Sequence, residues 1–241
     1  MKICGLQKLT LLDYPGKVAC TVFTGGCNLR CPFCHNASLV VGPPAGEAVG
    51  EAEFFAFLKK RRGVLDGVCV SGGEPLMQPD LAEFLRRVKS GGALVKLDTN
   101  GCFPGRLREI VSQGLVDYVA MDLKSAPERY AQTTGTADFD FAPVRESIDF
   151  LLAAPVDYEF RTTVVRGLHD EEALRGAAQA IRGARRYFLQ KFVDSGDLIG
   201  GGPSAGALSA GVLSAFSDDE MRAFLAAVSP YVETSALRGI S

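Results

Sequence analysis

Six short apolar runs, separated by segments with helical periodicity, do most to limit what this chain can fold into. The runs are 17–23 (KVACTVF), 67–71 (GVCVS), 93–98 (ALVKLD), 116–122 (VDYVAMD), 157–165 (DYEFRTTVV) and 186–191 (RYFLQK). They are rich in Val, Tyr, Phe and other apolar residues, and turn residues bound most of them, so each reads as a strand. Between them, Leu81, Phe84, Leu85 and Val88 fall at i, i+3, i+4 and i+7, as do Leu174, Ala177, Ala178 and Ile181. Val144, Ile148, Leu151 and Leu152 share another face. Each set makes one apolar stripe that a sheet can cover. The alternation predicts an α/β fold with a parallel sheet under helices, either curled one way as a six-stranded open barrel or wound both ways. Six units are too few for a full eight-unit barrel. Both arrangements put ligands at the carboxyl ends of the strands.

The chain's 241 residues, 47% of them apolar, suit one sizeable core. The expected organisation is a single domain: a lead-in over 1–16, the barrel over 17–192, a glycine-rich loop over 193–216, and a closing helix and tail over 217–241. Ser217 and Glu220 have the spacing of a capping box for that helix. The stretch 195–211 reads either as a linker or as a lid at the rim. Net charge is −2 with no basic stripe, which argues against a nucleic-acid partner. No signal-peptide pattern and no membrane-length apolar run is present, so the reading is a soluble cytoplasmic protein with no membrane partner.

Seven cysteines, an odd number, argue against a disulfide framework. Three of them, Cys27, Cys31 and Cys34, crowd a loop directly after the first strand, behind the turn Thr24-Gly25-Gly26. Three thiolates leave one iron of a 4Fe–4S cubane without a protein ligand and open to a substrate or cofactor, whereas electron-transfer clusters are usually held by four. The competing readings are a zinc site completed by His35 or a distant cysteine, and buried free thiols gathered by chance. Ser71-Gly72-Gly73-Glu74-Pro75 ends the second strand, where backbone carbonyls and Glu74 could accept from an ammonium group. Asp98-Thr99-Asn100-Gly101 ends the third strand, Asp122-Leu123-Lys124 the fourth, and Arg161 lies inside the fifth. Charges within apolar strands need a partner or a ligand. They form either an internal network, such as Asp122 with Arg161, or the walls of a site for a zwitterionic ligand.

The CxxxCxxC loop, with Phe33 just before its last cysteine, resembles the signature of the radical S-adenosylmethionine (SAM) superfamily. The resemblance implies a partial (β/α)6 barrel. It implies a 4Fe–4S cluster on Cys27, Cys31 and Cys34 that binds SAM at its open iron, and reductive cleavage to a 5′-deoxyadenosyl radical. The order GGEP, DTNG, DLK and an Arg-bearing strand is similar to glycyl-radical-enzyme activases. The superfamily resemblance assigns SAM to Phe33, Gly72, Gly73 and Glu74, and the activase likeness adds Asp122, Lys124 and Arg161. That likeness also assigns a monovalent cation beside SAM to Asp98 and Thr99, and contact with an inserted substrate peptide to Asp13. No catalytic side chain beyond the cluster and SAM is expected. Residues 11–17 (LLDYPGK), with FTGGCN at 23–28 and CHN at 34–36, look like the longer type of anaerobic ribonucleoside-triphosphate reductase activating protein. The implied partners are a glycyl radical enzyme as substrate and flavodoxin or ferredoxin as electron donor. One departure is Leu189-Gln190-Lys191-Phe192, where pyruvate formate-lyase activase carries a histidine. The rival functions are a radical SAM enzyme for a small molecule such as a pterin, and a non-enzymatic zinc module.

Overall fold

The computed structural model describes residues 1–41, 48–194, 198–199 and 213–240. In chain order the elements are β1 (Ile3–Thr10), β2 (Ala19–Thr24), α1 (Ala37–Val41), α2 (Glu51–Lys60), β3 (Gly67–Gly72), α3 (Leu81–Ser90), β4 (Leu94–Thr99) and α4 (Pro104–Ser112). There follow β5 (Tyr118–Asp122), α5 (Tyr130–Thr134), α6 (Ala142–Leu152), β6 (Asp157–Val164), α7 (Glu171–Ala180), β7 (Tyr187–Lys191), α8 (Asp218–Val228) and β8 (Ser235–Arg238). The six expected strands are β2 to β7. They pair in parallel and in sequence, which means that the sheet winds one way and is not doubly wound. The result is an open, unclosed sheet of eight strands.

Two of those strands lie outside the expected barrel. β1, in the lead-in, pairs antiparallel to β2, and β8, in the tail, pairs parallel to β7. Both had weak signals. The middle and later part of β1 is largely exposed, and β8 is four residues of intermediate burial, too short to show a period.

Alternation along each strand sorts the side chains into two sets. Val68, Val70, Val95, Leu97, Val119, Met121, Tyr158 and Phe160 join the predicted helix stripes of α3, α6 and α7 in one buried core. The other face is polar: Cys69 lies beside Lys96, Asp98 beside Ala120, and Asp122 beside Arg161. At the amino ends of the strands, Tyr14 packs on Tyr118 with ring centroids 6.0 Å apart. There Arg238 of β8 donates twice to the Glu159 carboxylate, at 2.7 and 2.8 Å.

The helix ends follow their sequence signals. Ser217 and Glu220 form the expected capping box of α8. Asp170 caps α7 by accepting from Ala173 N–H at 2.8 Å. The glycine-rich stretch 195–211 lies, apart from 198 and 199, outside the described residues. Among those residues no helix is long and apolar enough to cross a membrane.

Candidate cofactor site

Three successive turns stack at the carboxyl ends of β2, β3 and β4, and glycine makes the stacking possible. Gly73 lies so close to the cysteine loop that an added Cβ would meet the Gly26 carbonyl oxygen at 1.9 Å. Gly72 sits at φ +117°, with Thr24 backbone 2.4 Å from where its Cβ would be. This contact lets Gly73 N–H donate to Thr24 O at 2.9 Å and Glu74 N–H donate to Gly26 O at 2.8 Å. Asn36, past the last cysteine, donates to Gly72 O at 3.1 Å. The glycines of the GGEP turn therefore seat the cysteine loop as well as border the cavity.

Glu74 joins this turn to the next. It is fully buried and accepts from Leu76 N–H at 3.0 Å, Thr99 Oγ1 at 2.8 Å and Asn100 N–H at 2.7 Å. It is not among the lining residues of the cavity, and its three donors make it a strut between β3 and β4. Burial pushes its carboxyl up to about 7, against the pull of the three donors. The folded protein then holds that proton more tightly than the unfolded chain does. Stability should fall as pH rises from the ordinary 4.5 to about 7. Glu74→Gln should remove this slope. It should also lower stability at pH 8 by about 1–3 kcal/mol, because an amide N–H₂ must face a donor; thermal melts across pH check both.

The cavity above these turns is about 350 Å³, and Cys27, Cys31 and Cys34 all line it. Cys31 is buried beside Leu29 and Phe33, and burial pushes its thiol up to about 12. The Cys27 sulfur accepts from Leu29 N–H at 3.4 Å and from Asn100 Nδ2 at 3.7 Å. Among the described residues, no three His, Cys, Asp or Glu side chains gather around a point that would hold a single ion. His35, the nearest candidate for a fourth zinc ligand, stacks on Phe192 with centroids 5.9 Å apart. A trio of thiols bordering a volume suits a multi-atom cluster with an open corner better than a tetrahedral ion.

Asp98, Asp122, Lys124 and Arg161, from the motifs singled out in the sequence, line the same cavity. The internal network also exists. Arg161 Nε donates to Asp122 Oδ1 at 2.9 Å, and Lys124 Nζ donates to Asp122 Oδ2 at 3.0 Å. Burial would raise the Asp122 carboxyl, but Arg161 and Lys124 overrule it and hold it well below the usual range. The two readings of these charges are compatible, because the networked side chains still face the cavity. Lys191 also lines the cavity, so three cations and two carboxylates border it, a set that suits a ligand bearing both signs. Thr99 lines the same cavity.

Other residues contribute that sequence reasoning did not promote. Asn100 bridges the cluster loop to β4 by donating to Asn28 Oδ1 at 2.8 Å. His169 is 5% exposed; its Nδ1 accepts from Val165 N–H at 3.0 Å, so its proton sits on Nε2 and is donated to Lys124 O at 2.8 Å. Its ring meets Phe33 edge-on at 6.4 Å, which ties the DLK turn to the cysteine loop. Nothing in the sequence signals that bridge. Asp13 lies on the loop before β2 and accepts from Thr21 Oγ1 at 2.5 Å. It is not among the lining residues of the cavity.

Comparison with known proteins identifies the family and the fold. The sequence profile of the Radical SAM superfamily matches residues 21–177. A Methanocaldococcus jannaschii protein provisionally named a glycyl-radical enzyme activating enzyme is 33% identical over 196 residues, 79% of this chain and 79% of that protein. Pyruvate formate-lyase-activating enzyme of Clostridium pasteurianum is 31% identical over 194 residues, 76% of this chain and 77% of the relative. A solved domain of pyruvate-formate lyase-activating enzyme from Bacteroides vulgatus shares the fold. Its TM-score is 0.56 at 20% identity, and the match covers 72% of this chain and 99% of that one.

Proposed function

This chain belongs to the radical SAM superfamily, and from that premise we propose that it activates a glycyl radical enzyme of the anaerobic ribonucleotide reductase type. The observation that carries the reading is one cavity lined both by the three loop cysteines and by half-buried charges of both signs. When bound, a 4Fe–4S cluster and SAM supply one-electron cleavage of a sulfonium and, from it, the power to take a hydrogen atom from a glycine.

Cys27, Cys31 and Cys34 would hold the cluster. The donors on the Cys27 sulfur would tune its potential. Lys124 and Arg161 would meet the SAM carboxylate, and Asp122 the ribose hydroxyls. The backbone at Gly72 and Gly73 would border the ammonium end, held in place by Glu74. Phe33, buried and braced by His169, would shield the cluster edge from water. Asp13 would touch the substrate peptide. An external one-electron donor, flavodoxin or ferredoxin, completes the set.

Anaerobic reconstitution with iron and sulfide, followed by SAM, reductant and the candidate reductase, tests the reading. Electron paramagnetic resonance should then show a glycyl radical on the partner. Methionine and 5′-deoxyadenosine formed without any glycyl signal, together with consumption of a pterin, would replace it by the small-molecule alternative.

A further inference from the structure

Asp98 and Thr99 are the residues that the family resemblance assigns to a dissociable monovalent cation, and the structure shows both already engaged. Asp98 Oδ1 accepts a short hydrogen bond from Lys96 Nζ, and its Oδ2 lies 3.5 Å from Arg161. Thr99 Oγ1 donates to Glu74 and accepts from Gly101 N–H at 3.1 Å. Each carboxylate oxygen of Asp98 thus faces a positive group, and a third cation would meet like charge on both sides.

Lys96 is the unusual member. It is 1% exposed and sits on the inner face of β4, two residues before Asp98 on the same side of the strand. Its ammonium otherwise reaches only the Cys69 sulfur, at 3.8 Å, among the described contacts. A buried ammonium on one carboxylate keeps that carboxylate ionised and cannot diffuse away. We infer that Lys96 is a built-in counter-cation of the SAM site, and that it makes SAM binding independent of potassium or sodium. Lys96 is then a positioning residue: it holds Asp98 in charge and place at the wall while remaining outside the cavity itself. The inference rests on the cavity being a SAM site.

The test is SAM affinity of the cluster-loaded protein in potassium, sodium or choline chloride at equal ionic strength. Wild type should bind equally in all three. Lys96→Met, which keeps the length of the stem and removes the charge, should bind about tenfold more weakly in choline, the loss of one charge-assisted contact. Potassium should restore much of that loss, a rescue that a merely structural role for Lys96 would not produce. Should the variant fail to fold, sodium-23 NMR relaxation on the wild-type protein still decides: SAM must cause no added sodium binding. Wild-type binding that requires potassium or sodium overturns the inference and leaves the proposed function standing. A folded variant that loses no affinity, or one that no salt restores, overturns it in the same way. Absence of SAM binding in every salt overturns both.

Discussion

Replacing Cys31 with alanine should leave a folded protein that retains little iron or sulfide and cleaves SAM no faster than the uncatalysed background. Cys31 is the most buried of the three cavity cysteines at 6% exposure, and it packs in a small core with Leu29, Phe33, Val165, Leu168 and Phe192. Alanine removes only the sulfur from that core, at a cost of about 1 kcal/mol. The functional loss is of another order, since the cluster would lose one of the three cysteines proposed to hold it. Cys102→Ala is the sharp control. Cys102 neighbours the same loop through Asn28, and burial pushes its thiol up to about 12. Its loss should leave iron and sulfide content unchanged. If Cys102→Ala instead empties the site, the cluster is closed by four cysteines and no iron is left open for a cofactor. Loading should also release protons, because the buried thiols must ionise to bind iron; a pH-stat records them.

Gly73→Ala should disable the site without removing any ligand. The new Cβ would lie 1.9 Å from the Gly26 carbonyl oxygen, an overlap of backbone with backbone that no rotamer can relieve. The GGEP turn must lift off the cysteine loop, losing the bonds from Gly73 N–H to Thr24 O and from Glu74 N–H to Gly26 O. Each is worth about 1 kcal/mol and the overlap adds about 1–3, so a loss of about 3–5 kcal/mol is expected. Thermal melting measures it, and cluster content after reconstitution should drop in parallel. Gly105→Ala is the matched control, because that glycine lies in α4 with nothing within 4 Å of its added Cβ. It should be neutral or slightly stabilising. Equal loss from both substitutions would mean that the contact between the turns does not hold the site together.

The sequence made the outward half of this fold plain and the inward half less so. Strand runs such as GVCVS and VDYVAMD, and stripes such as Leu81, Phe84, Leu85 and Val88, are signals of burial against helices, and they land in the core. The inner face of the barrel reverses the usual rule, because polar residues there are buried. Lys96, within ALVKLD, belongs to none of the motifs at the strand ends, and only the folded sheet shows that it is buried. Glu74 was legible as a site residue, but its three donors come from β4 and its own turn, so only the tertiary fold shows that it is a strut. The motifs at strand ends were well placed because a parallel sheet brings such ends to one rim. His169 reads from the sequence as part of the helix start beside Asp170, because a lone histidine before a helix cap carries no periodic or motif signal.

The stacked turns also have a bearing on the order in which the protein is made. Every residue that seats the cysteine loop through β3 and β4, from Thr24 to Gly101, has been translated 60 residues before Arg161 is added. The half that would carry iron thus leaves the ribosome ahead of the half that would complete the charged wall. The cysteine loop is completed later, because Arg30 N–H donates to Thr134 O at 3.0 Å and Cys31 and Phe33 pack against Val165, Leu168 and Phe192, so the cavity comes into being only when the later strands close over it.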